Sequence, residues 1–206
     1  MTLRGQAPDW LDVSRETLEK LDLFMSLVEK WNPAINLVAP GSLPGAWDRH
    51  VLDSAQIFLL APHPVHWVDI GSGGGFPGLV VAILAAAKRP DMRVTLIESD
   101  RRKSTFLSQA ARELDLRVSV LTDRAESVSP LAADIVSARA LAALTDLCWL
   151  AHRHLAPHGM AIFPKGASAE TELAEARRNW IFDAELIPSH TDPLARVIKM
   201  TNLRHA

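Results

Sequence analysis

Val65-His66-Trp67-Val68-Asp69-Ile70, Gly71-Ser72-Gly73-Gly74-Gly75-Phe76-Pro77-Gly78 and Leu79 to Ala87 follow one another without a break. A short apolar run, a glycine-rich turn and a helical apolar run read as strand, turn and helix. Glycines in such a turn let a ligand approach the backbone, and a helix opening there offers unpaired N–H groups.

Two cofactor classes use a turn of this kind. Dinucleotide sites want G-x-G-x-x-G, with the third glycine packing helix on strand. Here Phe76 stands at that third position. The pattern present is D-x-G-x-G-x-G, from Asp69 to Gly75, the form associated with S-adenosylmethionine (SAM). Asp69 just before the glycines would repel a pyrophosphate and tolerate a sulfonium and an ammonium.

Downstream, short apolar runs alternate with helical stretches. Strands are predicted at 65–70, 93–98, 117–121, 134–138 and 160–164, with helices at 77–87, 101–114, 141–155 and 169–179. Strands separated by helices of this length imply right-handed crossovers and a parallel sheet. Segments 180–187 and 196–203 are strand-like, and the gap Pro188 to Ala195 is too short for a helix, so an antiparallel hairpin closes one sheet edge. The prediction is an α/β fold: the seven-stranded, Rossmann-like class I SAM-dependent methyltransferase sheet with helices on both faces. Upstream, Leu18, Leu21, Met25, Val28 and Trp31 recur at helical spacing after the cap candidate Ser14, and Asn32-Pro33 is expected to end that helix. A second helix is expected to begin after Ser42 and run to Leu60. Residues 1–62 are therefore read as an N-terminal helical cap, and 63–206 as the cofactor-binding core integrated with it.

Composition sets outer bounds. The 206 residues are 48% hydrophobic and 22% charged, with 10 Gly and 13 Pro, which excludes disordered, collagenous and coiled-coil chains. A net charge of -2 advertises no bulk affinity for nucleic acid, although a local basic face remains compatible with it. One cysteine, Cys148, provides neither an internal disulfide nor a thiolate zinc cage. The N-terminal ten residues lack a signal core, and Leu79 to Ala87 is too short to span a bilayer, so a cytoplasmic protein with no membrane partner is expected.

Glu98, closing the second strand, suits both ribose hydroxyls of an adenosine, or alternatively caps the next helix. Glu126, in Asp123-Arg124-Ala125-Glu126 after the third strand, or the backbone beside it, suits an adenine edge. Arg139 ends the fourth strand with a planar fork fit for guanine O6, a phosphate or a cofactor carboxylate; its structural alternative is an ion pair with Asp69 or Glu126. Lys165, ending the fifth strand, faces the same rim, for an RNA phosphate or for solvent. Arg101-Arg102-Lys103 opens a helix against its dipole, which suggests a phosphate partner as much as a solvated turn. Arg49 and His50 are expected to project from the cap over the cleft, with Asp53 pairing to Arg49 one turn on. His152, His154 and His158 read as helix-end decoration and not as metal ligands, because Pro157 interrupts their helix; no metal site is expected. The tryptophans are read as core packing.

Several of these motifs together resemble the RsmG (GidB) family: Trp31-Asn32 with Asn36-Leu37, Arg49-His50-Val51-Leu52-Asp53-Ser54, the glycine loop ending Phe76-Pro77-Gly78, Glu98-Ser99 before Arg101 to Leu107, Arg124-Ala125-Glu126, Ala138-Arg139-Ala140 and Pro164-Lys165-Gly166. The resemblance spans nearly the whole chain in order. It implies a bacterial, cytoplasmic SAM-dependent methyltransferase that modifies guanine N7 in the 530 loop of 16S rRNA. Carried over by position, cofactor contacts fall on Gly71, Gly73, Phe76, Glu98, Ser99, Ala125, Glu126 and Arg139, with Arg139 and Lys165 as catalytic candidates. Position 138 is Ala, where many relatives place Ser. Guanine N7 carries no proton, so the reaction needs alignment in a dry pocket and not a general base, and the motif loops hold no isolated strong base. The partner is 16S rRNA or an assembling small subunit, and a monomer is expected. Alternatives are a methyltransferase acting on a small molecule, for which a basic rim is superfluous, and a SAM- or nucleotide-binding regulator without turnover. A nicotinamide dehydrogenase fits least because of Phe76.

Overall fold

The computed structural model describes residues 7–61 and 63–206. Five parallel strands, β1 (His66–Ile70), β2 (Arg93–Ile97), β3 (Val118–Leu121), β4 (Ala133–Ser137) and β5 (Leu155–Lys165), join the hairpin β6 (Trp180–Pro188) and β7 (Arg196–His205) in one sheet. Its order is β3-β2-β1-β4-β5-β7-β6, with β7 antiparallel to both neighbours. The order reverses between β1 and β4, so their C-terminal ends flank the crevice where open α/β sheets take ligands. The central strand β1 is buried along its whole length, as a strand covered on both faces must be.

α1 (Arg15–Ile35) starts at Ser14, whose hydroxyl accepts the Thr17 N–H. It passes Pro33 and ends at Asn36, in the left-handed region at φ 49°. The expected stop at Asn32-Pro33 is thus corrected: Ile35 is buried, and Asn32 sends its Oδ1 forward to the Val38 N–H at 2.9 Å. The expected helix 43–60 is also corrected. It divides into a 3-10 segment (Pro40–Gly45), a π-helical turn (Trp47–Leu52) and α2 (Asp53–Leu59). Such π turns recur at functional sites because they redirect side chains.

α3 (Gly78–Lys88) and α4 (Arg101–Glu113) pack with α1 and α2 in one apolar core that includes Phe24, Phe58, Leu79 and Phe106. On the other face α5 (Leu144–His154) and α6 (Ala169–Ala176) cover a second core around Val68, Leu147, Phe163 and Met200. β5 starts five residues earlier than predicted, through Pro157 and Gly159. A Cβ at Gly159 would lie 2.7 Å from the Ala133 carbonyl oxygen, so the glycine admits a close backbone approach where register shifts between Ala133 and Ile135. Trp149, read as core, is 47% exposed, whereas Trp67 and Trp180 are buried. No helix among the described residues is long and apolar enough to cross a membrane.

Candidate active site

At the β1 turn, Gly71, Gly73 and Gly75 take φ of 65°, 54° and 89°, values that exclude most side chains. The loop is tied down at both ends. Gly73 donates its N–H to Glu98 Oε2 at 2.8 Å, and Glu98 Oε1 accepts the Asp100 N–H at 2.8 Å. Glu98 therefore joins the glycine turn to the start of α4, and each oxygen keeps a lone pair for a ribose hydroxyl. Asp100 caps α4 by accepting the Arg102 and Lys103 N–H groups, and it pairs with the Arg102 guanidinium at 3.3 Å. This cap offsets the basic first turn, a partner the sequence reading missed. Lys103 remains on the cleft wall.

Asp69 is placed differently from the expectation. It is fully buried and does not line the cleft, accepting from Ser137 Oγ at 2.7 Å and from the Gly78 N–H at 3.2 Å. Trp67 Nε1 donates to the same Ser137 oxygen. Burial pushes the Asp69 carboxyl up to about 6. The carboxylate thus occupies the N-terminus of α3, where a dinucleotide would place its pyrophosphate. The role of a third packing glycine passes to Gly78, whose hypothetical Cβ would meet the Leu96 side chain and, at 2.7 Å, Asp69 Oδ2.

The cleft has a volume of about 380 Å³. Gly71, Gly73, Phe76, Glu98, Ser99 and Arg139 all line it, joined by Leu37, Val38, Ser42, Arg49 and His50 from the cap. Arg139 crosses from β4 to the π turn. Its Nη1 donates to the Arg49 carbonyl at 3.0 Å and to Asp53 Oδ2 at 3.3 Å, while Nη2 donates to His50 Nδ1 at 3.0 Å. The guanidinium lies 5.2 Å from the centre of the Phe76 ring. Asp53 is therefore the partner of Arg139 and not of Arg49, and the anticipated Arg139 pairs with Asp69 or Glu126 do not form. With three of five N–H groups engaged, the Nε–H and one Nη2–H remain for a ligand.

Because arginine only donates, His50 Nδ1 must accept. Its Nε2–H then donates to Ser42 Oγ at 2.9 Å, and the Ser42 hydroxyl donates to the Ala39 carbonyl at 2.7 Å. Burial, then the charges of Arg139 and Arg49, lower His50 to about 4, so it is neutral in the working range. The unfolded chain takes up this proton near 6.5 and the fold resists it until about 4. The His50 contribution to stability is thus present above 6.5 and lost as pH falls toward 4. Asp69 acts oppositely, because its buried charge becomes a cost as pH rises from 3.8 toward 6. In urea unfolding, His50→Asn is expected to lose less stability than wild type between pH 6.5 and 4.5; equal slopes would remove His50 as a source of acid sensitivity. Asp53→Ala, which strips a pair whose side chains are each 16% exposed, is expected to cost about 2 kcal/mol in the same assay.

Three predicted site residues do not line the cleft. Lys165 Nζ donates to Glu172 Oε2 at 2.8 Å and to the Ala142 carbonyl at 2.9 Å, with its side chain 10% exposed, so the free ammonium expected at the rim is an internal clamp. Ala125 is buried and its carbonyl accepts from His154 Nε2, while Glu126 is exposed beside Arg124. His154 is thereby a core histidine and not helix-end decoration. Among the described residues no cluster of metal-ligating side chains occurs.

The sheet order and cleft are those of the class I SAM-dependent methyltransferase fold. Solved structures agree: a SAM-dependent methyltransferase from Aquifex aeolicus superposes with TM-score 0.59 over 87% of this chain and 97% of its own at 11% identity, and AdoMet-bound TYW2 from M. jannaschii with 0.55 over 76% of each at 13%. The family model for rRNA small subunit methyltransferase G (GidB) matches residues 17–195. The relative of that name from Cereibacter sphaeroides is 56% identical over 95% of both chains, and that from Ruegeria pomeroyi 51% identical over 94% of this chain and 95% of its own. The chain belongs to the rRNA small subunit methyltransferase G family, SAM-dependent enzymes that methylate 16S rRNA.

Proposed function

We propose that this chain transfers a methyl group from SAM to guanine N7 in the 530 loop of 16S rRNA, acting as a cytoplasmic monomer. The observation that carries the reading is the Arg139 bridge. One guanidinium, fixed by Asp53, the Arg49 carbonyl and neutral His50, stands on the cleft wall with two N–H groups to spare.

The residues present fit the cofactor. Glu98 suits the ribose diol, and the turn at Gly73 leaves room for the amino-acid end, since a Cβ there would meet nothing nearer than the Gly71 oxygen at 3.8 Å. When bound, SAM would supply an electrophilic methyl carbon to the N7 lone pair, the electron pair of its carbon–sulfur bond staying on sulfur. N7 loses no proton, so neutral His50 orients Arg139 and removes nothing. The spare donors of Arg139 suit guanine O6, which adjoins N7 on the same base edge. Phe76, Leu37 and Val38 give the approach an apolar wall, as methyl transfer away from water requires. Among the described residues no helix or strand carries more than one exposed large apolar side chain, which supports a monomer.

The test supplies methyl-labelled SAM with deproteinised 16S rRNA or with small subunits lacking the modification, and identifies the labelled nucleoside by mass. 7-Methylguanosine at a single position is expected. Label in another nucleoside overturns the assignment of the atom, and no transfer to either substrate overturns the rRNA reading.

A further inference from the structure

At the opposite end of the strands from the cleft, a groove of about 630 Å³ lies over β1, β2 and β3. Residues 122–132, which connect β3 to β4, form only turns, so no helix covers this part of the face. The register places His66 of β1 beside Arg93 of β2, and Val94 beside Val118, which brings Arg117 of β3 next to Arg93. Three basic residues thus stand in one row across adjacent strands and on one face. The next row on that face is Thr95 beside Ser119, both hydroxyls.

Like charges directly opposite one another across a strand pair oppose folding. Among the described residues, no carboxylate forms an ion pair with Arg93 or Arg117. Asp134, the acidic neighbour of His66, has one oxygen occupied by the Val65 and His66 N–H groups. His66 is itself buried and bonds Thr95 Oγ1 through Nε2 at 2.9 Å, so it lines the floor of the groove while the two arginines stand exposed above it. Two exposed guanidinium forks with the exposed Ser119 hydroxyl beside them in one groove match the chemistry of a phosphate.

We propose that this groove is a second RNA-binding site, in which Arg93 and Arg117 grip a backbone phosphate of the rRNA substrate away from the target base. The assignment rests on the rRNA reading above. A strand of five residues is about 16 Å long, so a folded RNA that presents one base to the cleft reaches the groove along the side of the sheet. Such a contact fixes register without reading sequence.

The test compares Arg93→Gln/Arg117→Gln with Arg15→Gln/Lys20→Gln, which makes the same charge change on α1. Affinity for 16S rRNA is measured across a salt series, alongside SAM affinity, methyl transfer and the thermal midpoint. For the groove variant, RNA affinity is expected to fall about tenfold and the log–log salt slope to drop by about 2, with SAM affinity unchanged. Its midpoint is expected at or above that of wild type, because the repulsive row is gone, and the control variant is expected to keep wild-type RNA affinity. Equal RNA affinity in wild type and groove variant overturns the proposal, as does equal weakening in the control or a markedly lower midpoint. Thermal protection of wild type alone by a mononucleotide, with RNA affinity unchanged, assigns the groove to a free nucleotide instead and overturns it too. Wild-type methyl transfer in the same samples reports separately on the rRNA reading: no transfer sinks that reading, whereas transfer with an unaffected variant sinks only the groove.

Discussion

Arg139→Ala is expected to lower kcat for rRNA methylation by about 10²–10³-fold, the range seen when one positioned donor is removed from a closed site. The reason is the count of bonds it makes. One guanidinium holds the Arg49 carbonyl, Asp53 and His50 together while lining the cleft, so alanine removes both the ligand-facing donors and the join between cap and sheet. Arg139→Lys separates the two contributions. Lysine keeps the charge but presents a point donor, which cannot hold three partners and still face a base. It is expected to recover part of the thermal stability and little of kcat. Single-turnover transfer to small subunits, read beside urea unfolding, checks this. A lysine variant with wild-type kcat would reduce Arg139 to a structural ion pair.

Gly78→Ala is expected to damage both the fold and cofactor binding. The added Cβ presses on the Leu96 side chain and, 2.7 Å away, on Asp69 Oδ2, both fixed in the core. Overpacking of that kind costs about 1–3 kcal/mol. Displacing Asp69 would also release the Ser137 and Gly78 hydrogen bonds that set the glycine loop, so SAM affinity is expected to fall along with stability. Gly73→Ala is the informative contrast. Its φ of 54° makes alanine strained by about 1–2 kcal/mol, yet the new methyl meets only the Gly71 oxygen at an ordinary 3.8 Å. It is expected to cost less stability than Gly78→Ala. Calorimetry for the cofactor and thermal melts for the fold decide the ranking, and a reversed order would mean that helix–strand packing at Gly78 has slack.

Much of the architecture was legible because it is written in short-range periodicity. Alternating strands and helices, the final hairpin and the α1 stripe need only neighbours within a turn or a strand, and each is present. The misreadings fall where local rules compete with packing. Pro33 does not stop α1 because Ile35 still reaches the core and Asn32 secures the following loop. The expected helix 43–60 yields to a π turn that brings Arg49 and His50 to Arg139.

For the site, six of the predicted residues reach one cleft: Gly71, Gly73, Phe76, Glu98, Ser99 and Arg139. The sequence by itself determined the residue types there: a glycine turn after a buried strand, a carboxylate at the end of the next strand, and an arginine at the end of the fourth. Those follow from what each position can be along the chain. Which side chains pair was decided only by the tertiary structure. Asp53 and Arg139 are 86 positions apart, Asp69 and Ser137 68, and Lys165 turns back to Glu172. A charged side chain takes the partner that desolvation leaves within reach, and that depends on how cap and sheet dock, a relation no local pattern encodes.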